Sequence, residues 1–296
     1  MRTTFGFKKI WVIESLPDGE YRTGKVLYDD VLFYKNLQNP NLLVEFVEVH
    51  NRKDVTTVLE RITDNLRTTG HIPLLHFETH GNKDGMGLKN GDFIGHEELL
   101  PFLREINILT KHNLLVVVSA CNGAYLTKIL ANSLTLPCPV WGICGPSESI
   151  SAGDLVTGYS AFYNELLVPS NLNSAITKLR QSIPKHADKF SILNSEYLFM
   201  GAFDKYIQNM CTPDSVEKRT KAIIDATRTL SDNSVNFEQK EAKVRALLGT
   251  QEGQKQCYNF LKGKFFMHDR YPGEASLPDP PFEMAMKIRK DRQGRK

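Results

Sequence analysis

The stretch LLVVVSACNGAYL, residues 114–126, joins five apolar residues, Leu114–Val118, to the small, turn-prone series Ser119-Ala120-Cys121-Asn122-Gly123. A short continuous apolar run bounded by turn residues reads as a strand buried on both faces, as in parallel sheets covered by helices. In such sheets functional groups gather at the carboxyl ends of the strands. Cys121 stands directly after one.

The same alternation extends outward in both directions. Lys9–Ser15, Leu42–His50, Pro73–Thr79 and Val140–Cys144 read as further strands. Between Asn51 and Gly70, Val55, Val58, Leu59, Ile62 and Leu66 fall at helical spacing, and Gly70 reads as a stop. His96–Leu109, Tyr125–Leu134 and Asp154–Leu167 read as helices, and Ser174–Ile183 extends the helical layer. Asn90-Gly91 marks a hairpin turn inside the glycine-rich stretch 81–92, which lacks the twelfth-position acid of a calcium-binding EF-hand loop. A sixth strand is expected within Tyr197–Met200. The pattern is that of an α/β fold with a mostly parallel sheet and helices on both faces. After about Cys211 the chain becomes charged and helical. Residues 262–272 are aromatic and basic, SLPDPPFE reads as extended, and the tail from Lys287 reads as a solvated basic end. The expected division is an α/β domain over residues 1–205 and a helical extension with a flexible basic tail over residues 206–296.

Composition narrows the function. The chain has 296 residues, 41% hydrophobic and 24% charged, with a net charge of +3. That balance gives no argument for nucleic acid as a partner. No apolar run reaches the ~20 residues of a membrane span, and Ile10–Ile13 is too short for a signal-peptide core. Five cysteines, none in a CxxC pair, argue against a disulfide framework or a structural zinc site and fit a reducing cytoplasm. Neither GxxxxGK[ST] nor a GxGxxG after the first strand is present.

Two strand ends carry the chemistry. The third strand finishes in Phe77-Glu78-Thr79-His80-Gly81 and the fourth in Ser119-Ala120-Cys121-Asn122-Gly123. If the strands are parallel neighbours, His80 and Cys121 emerge side by side. A thiol is a weak nucleophile until deprotonated, and an adjacent imidazole can take its proton. The attacked carbonyl becomes an oxyanion, for which the backbone N–H groups of Gly81 and Cys121 are candidate donors. Taken alone, Cys121 would read as a buried apolar residue; the companion His80-Gly81 turns the reading toward catalysis. His76 shares the face of His80 and reads as a core residue, with a ligand or base as the alternative. Glu78 on that face could orient the pair or stand as an exposed strand-end carboxylate. Cys138 and Cys144 read as core.

The pair THG and SACNG resembles the caspase-like cysteine peptidases of clan CD, and most of all their bacterial CHAT type. A caspase signature is Q-A-C-[RQG]-G with a histidine ~50 residues upstream. Here Ala120, Cys121 and Gly123 match, Ser119 and Asn122 depart, and the histidine lies 41 residues upstream. Phe162-Tyr163-Asn164-Glu165-Leu166 adds a helix motif of the CHAT type, and the resemblance covers roughly residues 7–200. It implies a three-layer sandwich around a six-stranded sheet and a cysteine endopeptidase acting through His80 and Cys121 without metal or cofactor. It further implies a protein or peptide substrate, plausible in a bacterial defence or cell-death system. Ser119 replaces the glutamine that lines the caspase pocket for an acidic residue. Asp154, and after it Glu148, lie where arginine-cutting relatives carry an acidic pocket residue; Asp154 also reads as a helix N-cap. The extension after Cys211 offers a docking surface for a regulatory protein. A catalytically silent binding module and a thiol amidase for small substrates are the alternatives.

Overall fold

The structure, a computed structural model, describes residues 6–127, 133–168, 172–230 and 236–293. Its first compact unit ends at Ser195; the second comprises Glu196–Lys296 with Ser133–Leu136.

The first unit is built on strands β1 (Lys9–Ser15), β2 (Leu43–Glu48), β3 (Pro73–Gly81), β6 (Leu115–Ser119), β7 (Gly142–Pro146) and β8 (Phe190–Asn194), in the order β2-β1-β3-β6-β7-β8. All neighbours are parallel except β7 and β8. Between them stand α1 (Thr23–Leu27), which passes through a π turn (Tyr28–Leu32) into α2 (Phe33–Gln38), then α3 (Arg52–Thr69), α4 (His96–Leu109), α5 (Ala152–Leu166) and α6 (Leu172–Ser182). A small hairpin, β4 (Gly85–Gly87) and β5 (Phe93–Gly95), continues β3 beyond its end.

The strands are apolar without interruption because both faces are covered. Ile10, Val12, Leu74, Leu115 and Val117 join one core with Tyr159, Phe162, Tyr163 and Leu179 of α5 and α6. The alternate residues Trp11, Ile13, Leu75, Phe77, Val116 and Val118 are equally buried on the opposite face. There α3 lies close, with the Arg61 guanidinium 5.1 Å from the Trp11 ring centroid. Asn51 caps α3 by accepting the Asp54 N–H, and Gly70 ends it in a left-handed conformation, φ 68°. The expected α/β architecture with its mostly parallel six-stranded sheet is what forms.

Several expectations are corrected. Tyr197–Met200 is helical, inside α7 (Ser195–Met210). Phe199, Met200 and Phe203 are buried at helical spacing, and the sixth strand is Phe190–Asn194, antiparallel to β7. The fifth strand is displaced two residues toward Pro146. The helix expected over Tyr125–Leu134 lies partly outside the described residues. At its start Gly123–Tyr125 form a 3-10 turn, and at its end Leu134 belongs to a turn. Cys138 and Cys144 are core residues, their thiols pushed up to about 12 by burial.

The second unit contains most of α7 with α8 (Pro213–Leu230), α9 (Phe237–Gly249), α10 (Gln251–Phe265) and α11 (Phe282–Gln293). Its core is aromatic: Tyr258 lies 5.1 Å from Phe199, 4.9 Å from Phe203 and 5.5 Å from Phe282 between ring centroids. Phe265 and Phe266, from the aromatic and basic segment, are fully buried. The last helix, α11, continues into the basic tail as far as Gln293. No helix among the described residues is long and apolar enough to cross a membrane.

His96, at the start of α4, is buried with neither ring nitrogen in a well-formed hydrogen bond among the described residues. Burial lowers its pKa from the ordinary 6.5, against the opposing pull of Asp84 and the Asn82 backbone. Above about 6.5 the ring is neutral whether folded or unfolded, and stability is complete. As pH falls through that value the unfolded chain takes up the proton first, and stability declines. His96→Leu removes this contribution, so urea midpoints at pH 7.5 and 5.5 lie closer together in the variant than in the wild type.

Candidate active site

The register of β3 against β6 organises the strand ends. Pairing runs from Leu74↔Leu115 to Glu78↔Ser119. The pairing ends there; His80 follows Glu78 by two residues, and Cys121 follows Ser119 by two in the turn after β6. Glu78 and His80 share one face by strand alternation, the face covered by α1 and α5. Cys121 is partly exposed, at the start of a turn closed by the Gly123 N–H donating to the Ala120 carbonyl at 2.9 Å. Asn122 takes the left-handed conformation of that turn, φ 62°, which asparagine tolerates.

Gly81 is the point of closest approach. A Cβ there would lie 2.7 Å from the Cys121 carbonyl oxygen and 2.9 Å from the Ala120 Cβ. Its amide also has a defined direction. The Asn82 N–H donates to the Gly85 carbonyl, so alternation along the antiparallel pair leaves Gly81↔Met86 as the non-hydrogen-bonded pair. The hairpin lies on the β1 side, because the Lys89 N–H donates to Ser15 Oγ. The Gly81 N–H therefore faces the opposite side, that of Cys121.

A residue that the sequence reading missed meets His80. Glu20 Oε2 lies 2.7 Å from His80 Nε2, with both side chains about half exposed. That bond places the Nε2 proton on the Glu20 side of the ring and leaves Nδ1 as the other ring nitrogen. Glu20 sits in the loop after β1, and β1 is the sheet neighbour of β3. Only the strand order brings it to His80; the local signal, a carboxylate among turn residues in Pro17-Asp18-Gly19-Glu20, is common to many loops.

Beneath this surface lies a buried polar layer. Glu14 accepts from the N–H groups of Gly24 and Lys25 at 2.9 and 3.0 Å, and from Arg22 Nε. Glu78 accepts from Thr23 Oγ1 at 2.7 Å and from His76 Nε2 at 2.8 Å. His76 Nδ1 in turn accepts the Tyr163 hydroxyl at 2.9 Å. Burial first, then Cys144 and Glu78, hold the Tyr163 phenol well above its ordinary pKa, so it stays a donor. Glu78 is thus buried, not an exposed strand-end carboxylate, and it anchors α1 rather than touching His80's ring.

The candidate pocket residues separate. Asn122 N–H donates to the Glu148 carbonyl at 3.4 Å, which brings Glu148 to the nucleophile turn; its carboxylate pairs with Lys189 at 2.8 Å. Asp154 is not the cap of α5. Ser151 is, accepting the Asp154 N–H, while the Asp154 carboxylate lies 3.4 Å from His186. Ser119 is buried opposite Glu78, and its hydroxyl has no partner among the described residues.

No protein-family model matches this chain, and no curated protein matches it. Among solved structures, it is similar to the crystal structure of the Drosophila initiator caspase Dronc, at TM-score 0.46 and 10% identity, over 65% of this chain and 82% of that one.

Gly81→Ala tests the close approach. The added methyl pushes against backbone oxygen and Ala120, so the variant is expected to lose about 1–3 kcal/mol in urea unfolding. Wild-type stability in the variant would contradict the packing of the two strand ends.

Proposed function

We propose that this chain is a cysteine endopeptidase. The observation that carries the reading is the meeting of the two strand ends: β3 and β6 pair in parallel as far as Glu78 and Ser119, and a Cβ on Gly81 would lie 2.7 Å from the Cys121 carbonyl oxygen. In this reading the Cys121 thiol passes its proton to His80 Nδ1, and the thiolate attacks the scissile carbonyl carbon. The Gly81 and Cys121 N–H groups stabilise the oxyanion. The tetrahedral intermediate collapses to a thioester, and His80 returns the proton to the departing amine. Water then hydrolyses the thioester, releasing the acid and the free thiol. Glu20 is a positioning residue: it holds the imidazole with Nδ1 toward the thiol and stabilises the imidazolium that forms.

The pocket for the residue before the cut is assigned to Glu148, with Ser119 beneath and Asp154 farther along the same segment. Asn122's hydrogen bond to the Glu148 backbone supports this order. A basic substrate side chain would take the place of Lys189 on the Glu148 carboxylate; exposed pairs of that kind exchange at little cost. The THG and SACNG motifs support the CHAT-type relationship, and with it a protein substrate, cytoplasmic action and a role in bacterial defence or cell death. The second unit is proposed as the surface for a regulatory partner.

A fluorogenic peptide panel tests the reading. Peptides with Arg or Lys before the cut are cleaved and those with Asp are not. Cys121→Ala and His80→Ala each lose about 10³-fold or more in kcat/KM. Glu148→Gln loses the preference for the basic residue. Cleavage that persists in either of the first two variants would overturn the assignment.

A further inference from the structure

Glu20 reaches His80 from a loop, residues 16–22, that has no regular structure. An exposed glutamate on such a loop holds one partner poorly unless the loop itself is held, because ordering the chain costs conformational entropy. Two anchors hold it. At its far end Arg22 reaches the buried Glu14 and lies 3.1 Å from Glu48. In its middle Asp18 Oδ1 lies 2.6 Å from Lys89 Nζ, which also lies 2.6 Å from Glu48 Oε1. The two partners differ in kind: the Asp18 side chain is 88% exposed and the Lys89 side chain 12%. Lys89 is fixed from behind, its N–H donating to Ser15 Oγ at 2.9 Å, and Ser15 Oγ donating to the Val49 carbonyl at 2.8 Å.

Lys89 stands in the hairpin that leaves directly from His80 and Gly81. The path from His80 along the hairpin to Lys89, across to Asp18, along the loop to Glu20 and back to His80 is therefore closed. We propose that Lys89 is a positioning residue for the reacting pair, clamping loop 16–22 through Asp18 and Glu48 so that Glu20 stays on His80. The inference rests on the reading of Cys121 and His80 as that pair. The hydrogen bond to Lys89 lowers the Asp18 pKa, and that to Asp18 raises the Lys89 pKa, so the clamp is charged on both sides at neutral pH.

The test is the rate of Cys121 alkylation by iodoacetamide between pH 5 and 9, followed by peptide mass spectrometry on the full chain. In the wild type the rate at pH 6.5 depends on His80 and falls in His80→Ala. Glu20→Gln lowers it about 3-fold or more by weakening the imidazolium that supports the thiolate. Lys89→Met and Asp18→Asn lower it to the same degree, and their midpoints move upward with that of Glu20→Gln. Lys89→Arg, a cation able to span both carboxylates, recovers most of the rate. Asp18→Asn guards against a folding defect, because its side chain stands in solvent. Profiles for Lys89→Met and Asp18→Asn that overlay the wild type, while Glu20→Gln slows, overturn the clamp alone. A rate unchanged in His80→Ala overturns the pair itself, leaving the clamp nothing to position.

Discussion

The parallel register of β3 on β6 is the constraint on which the arrangement of the two strand ends depends. Both strands are buried on two faces, and Leu74, Leu75, Phe77 and Leu115–Val118 each enter a defined apolar layer. A slip of one residue would send Val116 and Val118 to the face of α5 and turn Cys121 away from the face of His80. Packing of the apolar side chains thus enforces an alignment of two polar ones. The side chains that would react contribute little to that alignment.

The polar layer under the strand ends has a different task. Two buried carboxylates, Glu14 and Glu78, would be costly if left alone. Each is instead satisfied by groups from the segment that follows β1: Arg22, Thr23, Gly24 and Lys25. The requirement to satisfy them ties that segment to the sheet. A Cβ on Gly24 would lie 2.8 Å from the Glu78 side chain, so the helix start fits only because that residue is glycine. The loop carrying Glu20 is in this way suspended between a buried anchor and the β4–β5 hairpin.

Much of this was legible in the sequence, for identifiable reasons. Continuous apolar runs gave the parallel sheet, and His80-Gly81 and Ala120-Cys121 stood at run ends with turn residues after them. What remained hidden required strand order. Glu20 is remote from His80 in sequence, and nothing local marks it. The sequence leaves Glu78 between orienting the pair and standing exposed, and only the fold shows α1 closing over it. Tyr197–Met200 is more apolar than Phe190–Asn194 and so reads as the strand, yet Phe199, Met200 and Phe203 are buried at helical spacing. The last helix, α11, begins before the basic tail, and its buried residues Phe282 and Ala285 precede Lys287.

Covalent capture by a peptide acyloxymethyl ketone with arginine at the reactive end is the most direct measurement. The account predicts one adduct per chain, on Cys121, lost in His80→Ala, with Cys138, Cys144, Cys211 and Cys257 unmodified. Labelling spread over Cys211 and Cys257, the other partly exposed cysteines, or labelling of Cys121 that is indifferent to His80, would contradict it.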